Sequence, residues 1–113
     1  MSRYNRTKGH SFERQIAAEL RTIGWPDCIT TRQARGGNWE HTDDGRDLVR
    51  TPGLAIQCKR LKEYAPVSTI EEIIDYPKEN EMRLVLTKAN GRPIMAILPW
   101  EDLKKFIAKD SLR

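Results

Sequence analysis

The chain has 113 residues, the usual length of one domain with its own hydrophobic core. Its 20 Lys and Arg residues exceed its 16 Asp and Glu residues, and the formal net charge of +4 at pH 7 suits a polyanionic partner. No apolar run reaches the roughly 18 residues that cross a bilayer, no signal-peptide core follows Met1, and Cys28 and Cys58 lack disulfide-framework or metal-ligand spacing. We therefore expect a single domain over residues 1–113, cytoplasmic, with reduced thiols and no membrane partner.

The N-terminal segment is predicted to be a flexible basic arm over residues 1–10, followed by a helix over 11–23 with a serine N-cap. At the helical period, the apolar residues of this helix share one face: Phe12, Ile16, Leu20 and Ile23. Glu13 lies on the shoulder of that face. A carboxylate in this position indicates either a functional site or a surface ion pair with Arg14.

The rest of the chain alternates short strand and helix patterns. β-branched and apolar runs bounded by turn residues predict strands over 28–34, 47–50, 54–59, 82–87 and 93–98. A polar loop is predicted at 35–45, a helix opened by a capping box at 68–71, and a last helix over 100–108. Trp100 and Phe106 on this last helix suit either the core or a dimer interface. The predicted order is α-β-β-β-α-β-β-α, a mixed α/β fold with one sheet flanked by helices.

Two predicted strands form a hairpin that gathers polar side chains. With the turn centred on Pro52, Asp47 lies opposite Gln57. Alternation along the strand then places Lys59 on the same face, and a shift of the turn by one residue would reverse the faces. Polar residues here indicate either a solvated sheet face or a metal-dependent phosphodiester site. In such a site Asp47 would bind Mg²⁺, Gln57 would offer its amide oxygen, and Lys59 would hold the attacking water.

Glu13 can supply a second carboxylate, because its helix has to pack its apolar face on this sheet. Carboxylate, amide and backbone carbonyl oxygens suit a hard cation such as Mg²⁺. No P-loop or glycine-rich nucleotide fingerprint is present, so no nucleotide cofactor is expected. The positive charge is concentrated in residues 1–62, which hold twelve Lys and Arg against seven Asp and Glu. Nucleic acid is the polyanion that this asymmetry favours.

Asp47 is followed by Gln57-Cys58-Lys59 at the end of an apolar strand, a pattern that resembles the core of the PD-(D/E)XK nuclease superfamily. Within it, the segment Lys8-Gly9-His10-Ser11-Phe12-Glu13-Arg14 resembles the N-terminal signature of archaeal-type Holliday junction resolvases. Those proteins place a basic arm, Lys-Gly and then Glu-Arg at the start of the first helix. The Arg35-Gly36-Gly37 loop before the acid also fits. The resemblance covers residues 6–62 with motifs, and the remaining elements match in order, as in phage-borne relatives.

The resemblance implies a restriction-endonuclease-like fold and a homodimer that resolves four-way DNA junctions by paired symmetric nicks. It implies Mg²⁺ as the cofactor, with Mn²⁺ as a substitute, and host cytoplasm as the location of a phage-borne member. The implied catalytic residues are Glu13, Asp47, Gln57 and Lys59. The implied metal ligands are the side chains of Glu13, Asp47 and Gln57 and the backbone carbonyl of Cys58. The implied DNA-binding residues are Arg3, Arg6, Lys8, Ser11, Arg14, Arg32, Arg35, Arg60 and Lys62.

The sequence departs from the family pattern at two positions. Gln57 stands where the family usually has Asp or Glu, so the site has one negative charge fewer, and Arg46 stands where a proline usually precedes the acid. Two other functions therefore stay open: a nuclease of the superfamily that acts on double-strand ends or repair flaps, and a DNA-binding module weakened in catalysis by Gln57. Retention of Glu13, Asp47 and Lys59 favours an enzyme, because a pure binder does not need them.

Overall fold

The structure is a computed structural model that describes residues 3–35, 46–73 and 81–108. Its elements in chain order are α1 (Arg3–Ile23), β1 (Ile29–Thr30), α2 (Thr31–Arg35), β2 (Leu48–Val49), β3 (Leu54–Leu61), a 3₁₀ helix (Val67–Glu72), β4 (Met82–Ala89), β5 (Met95–Ile97) and α3 (Trp100–Phe106). The fold is mixed α/β, as predicted, but its order differs because α2 lies between β1 and β2. No helix in these three ranges is long and apolar enough to cross a membrane.

The strands form two sheets rather than the single predicted one. β3 runs parallel to β4, β4 pairs antiparallel with β5, and β1 pairs antiparallel with β2. The predicted hairpin around Asn90 and Gly91 is confirmed as the connection between β4 and β5, where Gly91 adopts a φ of 71°. Parallel strands need a crossover connection, and the segment between β3 and β4 contains the 3₁₀ helix.

The hydrophobic core lies on both faces of β3. On one face, α1 and β3 contribute a buried cluster: Phe12, Ile16, Ala17, Leu20, Leu54, Ile56 and Cys58. On the other face, Ala55 packs with Val85 of β4 and with Ile73, which follows the 3₁₀ helix. The predicted apolar face of the first helix is confirmed except at Ile23, which is exposed. This packing fixes α1 against the strand that carries Gln57.

α1 begins at Arg3, so the prediction of a flexible arm over residues 3–10 and of a helix start at Ser11 was wrong. The segment contains no proline, and its single glycine weakens a helix by only about 1 kcal/mol. A tertiary contact also holds it, because Lys8 Nζ donates to Asn90 Oδ1 at 3.1 Å. The first helix is therefore longer than its apolar pattern indicates.

The predicted strand over 28–34 is present only as β1, because the chain enters α2 at Thr31. Thr30 and Gln33 form a reciprocal capping box. Thr30 Oγ1 accepts a hydrogen bond from Gln33 N–H at 3.0 Å, and Gln33 Oε1 accepts one from Thr30 N–H at 2.9 Å. The strand prediction followed the β-branched residues of this segment, which favour a strand, and not its Thr-x-x-Gln spacing, which is typical of the start of a helix. The difference matters for function because α2 carries Arg32.

The segments before and after Pro52 do not form the predicted hairpin. β2 pairs with β1, and two backbone hydrogen bonds join the segment to β3: Asp47 N–H donates to the Ile56 carbonyl, and Leu54 N–H donates to the Thr51 carbonyl, both at 2.8 Å. Asp47 therefore lies opposite Ile56, one residue from its predicted partner Gln57. Arg50 has a φ of 62°, which is uncommon for a residue with a side chain and turns the chain away from a regular hairpin.

The predicted helix after residue 67 is a single 3₁₀ helix, and its capping box at 68–71 does not form. Pro66 occupies the N-cap position, and no side chain caps the helix. Ile73 is buried, as predicted, whereas Ile74 lies outside the described residues. The buried Ile73 anchors the end of this helix against β3 and β4.

The last predicted helix is present as α3, but most of its apolar side chains are exposed. Leu103 is half-buried, whereas Trp100 is 62% exposed and Phe106 46% exposed. Met95 of β5 is exposed as well, and so is Ile107, the residue that follows α3. We call these four exposed residues the apolar surface patch. The core alternative for Trp100 and Phe106 was therefore wrong.

Candidate functional site

Asp47 lies at the edge of β3 that faces away from β4, and the strand backbone holds its side chain. Asp47 Oδ2 accepts a hydrogen bond from Cys58 N–H at 2.7 Å. The N–H and carbonyl of one strand residue point towards the same edge, so the Cys58 carbonyl is directed there too. Two of the predicted metal ligands, the Asp47 carboxylate and this carbonyl, therefore share one edge of the sheet.

The other predicted catalytic side chains reach this edge from the two faces of the sheet. Side chains alternate along β3, so Gln57 and Lys59 share the face of Ala55, whereas Cys58 faces α1. Glu13 comes from α1 on the Cys58 side. The structure brings these four residues together, since all of them line one open cleft of about 740 Å³. Gln57 and Lys59 share one face of the sheet, as predicted, but the prediction that Asp47 lies opposite Gln57 on that face was wrong, because Asp47 meets the strand edge at Ile56 and Cys58.

Four of the predicted DNA-binding residues also line this cleft: Lys8, Arg32, Arg60 and Lys62. Ser11 and Arg14 do not line it; they are exposed on α1, where Arg14 Nη2 donates to Ser11 Oγ at 3.2 Å. The side chains of the three remaining predicted DNA-binding residues lie outside the described part of the structure: Arg3, Arg6 and Arg35. The predicted loop with Trp39 lies outside the described residues as well. His10 and Asn90 line the cleft as well, although sequence patterns gave them no functional role.

The two carboxylates of the cleft interact with each other, and Glu13 is buried whereas Asp47 is half-buried. Glu13 is 9% exposed, and burial together with the charge of Asp47 raises its pKa to about 7, although Arg32 and Arg14 act in the opposite direction. Arg32 Nη2 lies 3.8 Å from Glu13 Oε1. Burial also raises the pKa of Asp47, against the Cys58 N–H and the charge of Lys59. A buried and a half-buried carboxylate that repel each other are an arrangement that a bound cation would stabilise.

Glu72 is a site residue that the sequence did not reveal. Its Oε1 accepts a hydrogen bond from Gln57 Nε2 at 3.3 Å and lies 3.1 Å from Lys59 Nζ. The sequence indicated that Ile73 points inward, but it held no information on where the 3₁₀ helix crosses β3. Without that position, the neighbouring acid could not be assigned to the cleft.

The oxygen atoms of the cleft fit a hard divalent cation. Gln57 is 7% exposed, and its Oε1 is buried with no hydrogen-bond partner among the described residues. Leaving such an atom unsatisfied costs about 1–3 kcal/mol, and a cation beside the carboxylates of Glu13 and Asp47 would remove that cost. Across the described ranges, no three His, Cys, Asp or Glu side chains are grouped to hold a metal ion. A cation here would therefore depend on amide and carbonyl oxygens as well as carboxylates.

Comparisons of the chain with protein-family models, with curated proteins and with solved structures find no match. The geometry of the cleft and the sequence motifs that line it are therefore the basis on which a function is assigned.

Proposed function

We propose that this protein is a metal-dependent DNA endonuclease of the PD-(D/E)XK superfamily, similar to archaeal-type Holliday junction resolvases, that cuts four-way junctions by paired nicks. The observation that carries the proposal is the meeting of Glu13, Asp47, Gln57 and Lys59 in one cleft whose rim is basic. Acidic and amide oxygens alone would suit many cation sites. A lysine beside them and a basic rim are the features that suit a phosphodiester substrate.

In this proposal, Glu13, Asp47, Gln57 and the Cys58 carbonyl hold Mg²⁺ or Mn²⁺. A cation bound there polarises the scissile phosphate and lowers the pKa of its water ligand. Asp47 is oriented for this role by the Cys58 N–H. Lys59 Nζ, held beside Glu72, donates to a phosphate oxygen or holds the attacking water. The protein residues thus bind the phosphate and stabilise the charge that develops on it.

The basic residues of the rim supply affinity for the DNA backbone. Arg60 is the next residue after Lys59, and Lys62 follows two positions later; Lys8 and Arg32 line the same cleft. Phosphate contacts of this kind position a duplex without reading its sequence. A restriction-endonuclease-like fold is part of the proposal, and it is supported by α1 packing on β3 and by the parallel pairing of β3 with β4.

A homodimer is also part of the proposal. A four-way junction has two-fold symmetry, and two nicks in opposed strands require two sites related by that symmetry. The apolar surface patch supports self-association, because four large apolar side chains are exposed near each other in the chain, on β5 and α3.

The test uses an immobile synthetic four-way junction, its matched duplex, a flapped duplex and a single strand, each with Mg²⁺ and with excess EDTA. We expect paired, symmetric nicks in the junction with Mg²⁺ and intact DNA in EDTA. Undiminished cleavage in EDTA would contradict the metal-dependent site. Cutting of flaps or ends with an intact junction would favour another nuclease of the superfamily. Junction binding without cleavage in either metal would favour a binding module.

Replacing the two rim residues Arg60 and Lys62 by alanine should reduce the salt dependence of junction binding. Each phosphate contact contributes about 0.9 to the slope of log affinity against log salt, so the double variant should lose about 1.8 if both side chains meet phosphates. Lys104 and Lys105, exposed on α3 away from the cleft, provide the control pair. Equal slopes of log affinity against log salt for both double variants would show that Arg60 and Lys62 do not contact the DNA.

A further inference from the structure

Glu72 contacts two of the four proposed catalytic residues through the same oxygen atom. Gln57 Nε2 donates to Glu72 Oε1, and Lys59 Nζ forms an ion pair with it. Gln57 and Lys59 project from the same face of β3, and Glu72 approaches that face from the end of the 3₁₀ helix. The packing of Ile73 on Ala55 and Val85 fixes this approach.

The contact with Glu72 determines which way the Gln57 amide faces. An ionised carboxylate only accepts hydrogen bonds, so the amide nitrogen has to face Glu72 and the amide oxygen has to face away from it. That oxygen is the buried atom for which the described residues offer no hydrogen-bond partner. A neutral side chain in place of Glu72 would allow either orientation of the amide.

We propose that Glu72 is a positioning residue: it holds the Gln57 amide oxygen towards the cation position beside Asp47 and Glu13, and it holds the Lys59 ammonium next to that oxygen. The proposal rests on the metal-dependent function proposed above. Glu72 is not itself grouped with Glu13 and Asp47 as a third acidic ligand in the described part of the chain, so its action is through Gln57 and Lys59. Glu72 also supplies the negative charge that position 57 does not carry, next to the proposed ligand Gln57 and not as a ligand itself.

This role makes positions 57 and 72 dependent on each other. In the Gln57→Glu variant, two carboxylates would stand at the distance of the present hydrogen bond, so the new acid would face a like charge. Adding Glu72→Gln would restore the hydrogen bond with its direction reversed, because the new amide would donate to the new carboxylate. The exchange variant Gln57→Glu/Glu72→Gln therefore keeps both the net charge and the hydrogen bond. Glu72→Gln alone changes the net charge, and Gln57→Glu alone changes the net charge and loses the hydrogen bond.

The experiment measures Mn²⁺ binding to the full chain without DNA, from the electron paramagnetic resonance signal of free Mn²⁺. Removing an outer partner of a metal ligand typically weakens metal affinity about 10–100-fold, so we expect at least about tenfold weaker binding for Glu72→Gln. Glu71→Gln, an exposed neighbour on the same 3₁₀ helix, is the matched control and should bind like the wild type. The exchange variant should bind at least as tightly as the wild type, and more tightly than Gln57→Glu alone. Thermal unfolding of each variant checks that the fold is intact.

Tighter binding in the exchange variant than in Gln57→Glu alone would support positioning, because both variants carry the acid at position 57 and differ only in the group that holds it. Wild-type affinity in Glu72→Gln, or an exchange variant no better than Glu72→Gln, would overturn this inference and leave the proposed nuclease untouched. Failure of the wild-type protein to bind Mn²⁺ and to cut the junction would instead overturn the proposed function, and this inference with it.

Discussion

Asp47→Asn should reduce junction cleavage at saturating Mg²⁺ by about 1,000-fold and leave the fold and most of the junction affinity intact. The substitution removes a full negative charge from the proposed cation site, and loss of a few kcal/mol of transition-state stabilisation corresponds to this factor. The fold should persist because an asparagine oxygen can still accept the hydrogen bond that Cys58 N–H now donates to Asp47. Junction affinity should persist because phosphate contacts elsewhere on the rim supply most of it.

The measurement is single-turnover cleavage of the four-way junction, with junction binding followed separately in EDTA. Asp27→Asn, the same substitution at an exposed position away from the cleft, is the matched control and should cut at the wild-type rate. A wild-type cleavage rate for Asp47→Asn would show that the site is misassigned. Loss of junction binding together with cleavage would show that Asp47 acts through the fold instead.

The candidate site could be predicted because its residues lie in short sequence motifs on elements that pack together. The apolar face of α1 placed Glu13 on the shoulder of a helix that has to cover a sheet, and the strand pattern placed Gln57 and Lys59 two residues apart. The buried cluster between α1 and β3 brings these motifs into one cleft. The grouping of these side chains in one cleft was thus accessible from local pattern and one packing requirement.

The register around Asp47 could not be predicted, because it depends on the backbone at Arg50. A residue with a side chain rarely adopts a positive φ, so a regular turn centred on Pro52 was the natural expectation. In the structure Arg50 has this left-handed conformation, β2 pairs with β1, and Asp47 lies opposite Ile56. Asp47 still reaches the cleft, because a carboxylate at the strand edge contacts the backbone N–H of Cys58 rather than a side chain across a ladder.

Glu72 and Arg32 were placed by crossovers and caps whose positions the sequence leaves open. The Thr30–Gln33 capping box starts α2 and thereby fixes Arg32 beside Glu13. Propensity for β-structure outweighed this short motif in the prediction. A capping box of a few neighbouring residues thus determines a contact between Arg32 and Glu13, which are distant in the sequence.

The charge state of Glu13 gives the second large effect, on stability rather than on cleavage. An ordinary Glu ionises near pH 4.5, whereas burial and the neighbouring Asp47 raise the pKa of Glu13 to about 7 in the folded protein. The folded state therefore holds this proton more tightly than the unfolded state does. The associated stability is fully present below pH 4.5 and is lost as the pH rises through 7.

Metal-free wild-type protein should accordingly lose free energy of unfolding between about pH 5 and pH 8, on the order of 2 kcal/mol from this group after allowance for solvent screening. Glu13→Gln, which cannot ionise, should show a shallower decline, and Glu19→Gln, exposed on the same helix, should follow the wild type. The measurement is urea unfolding in EDTA at several pH values. Parallel curves for all three proteins would contradict the raised pKa.

The same measurement with Mg²⁺ links this ionisation to the proposed cation site. A cation binds the ionised carboxylates of Glu13 and Asp47, so it has to compete with the proton at low pH. Because ligand binding to the folded state adds to the free energy of unfolding, the increase caused by Mg²⁺ should be larger at pH 8 than at pH 5.5. In Glu13→Gln the increase should be smaller at pH 8 and should depend less on pH over this range, with Asp47, whose pKa is also raised, as the remaining carboxylate that competes for the proton. An equal increase for both proteins at both pH values would separate Glu13 from the cation.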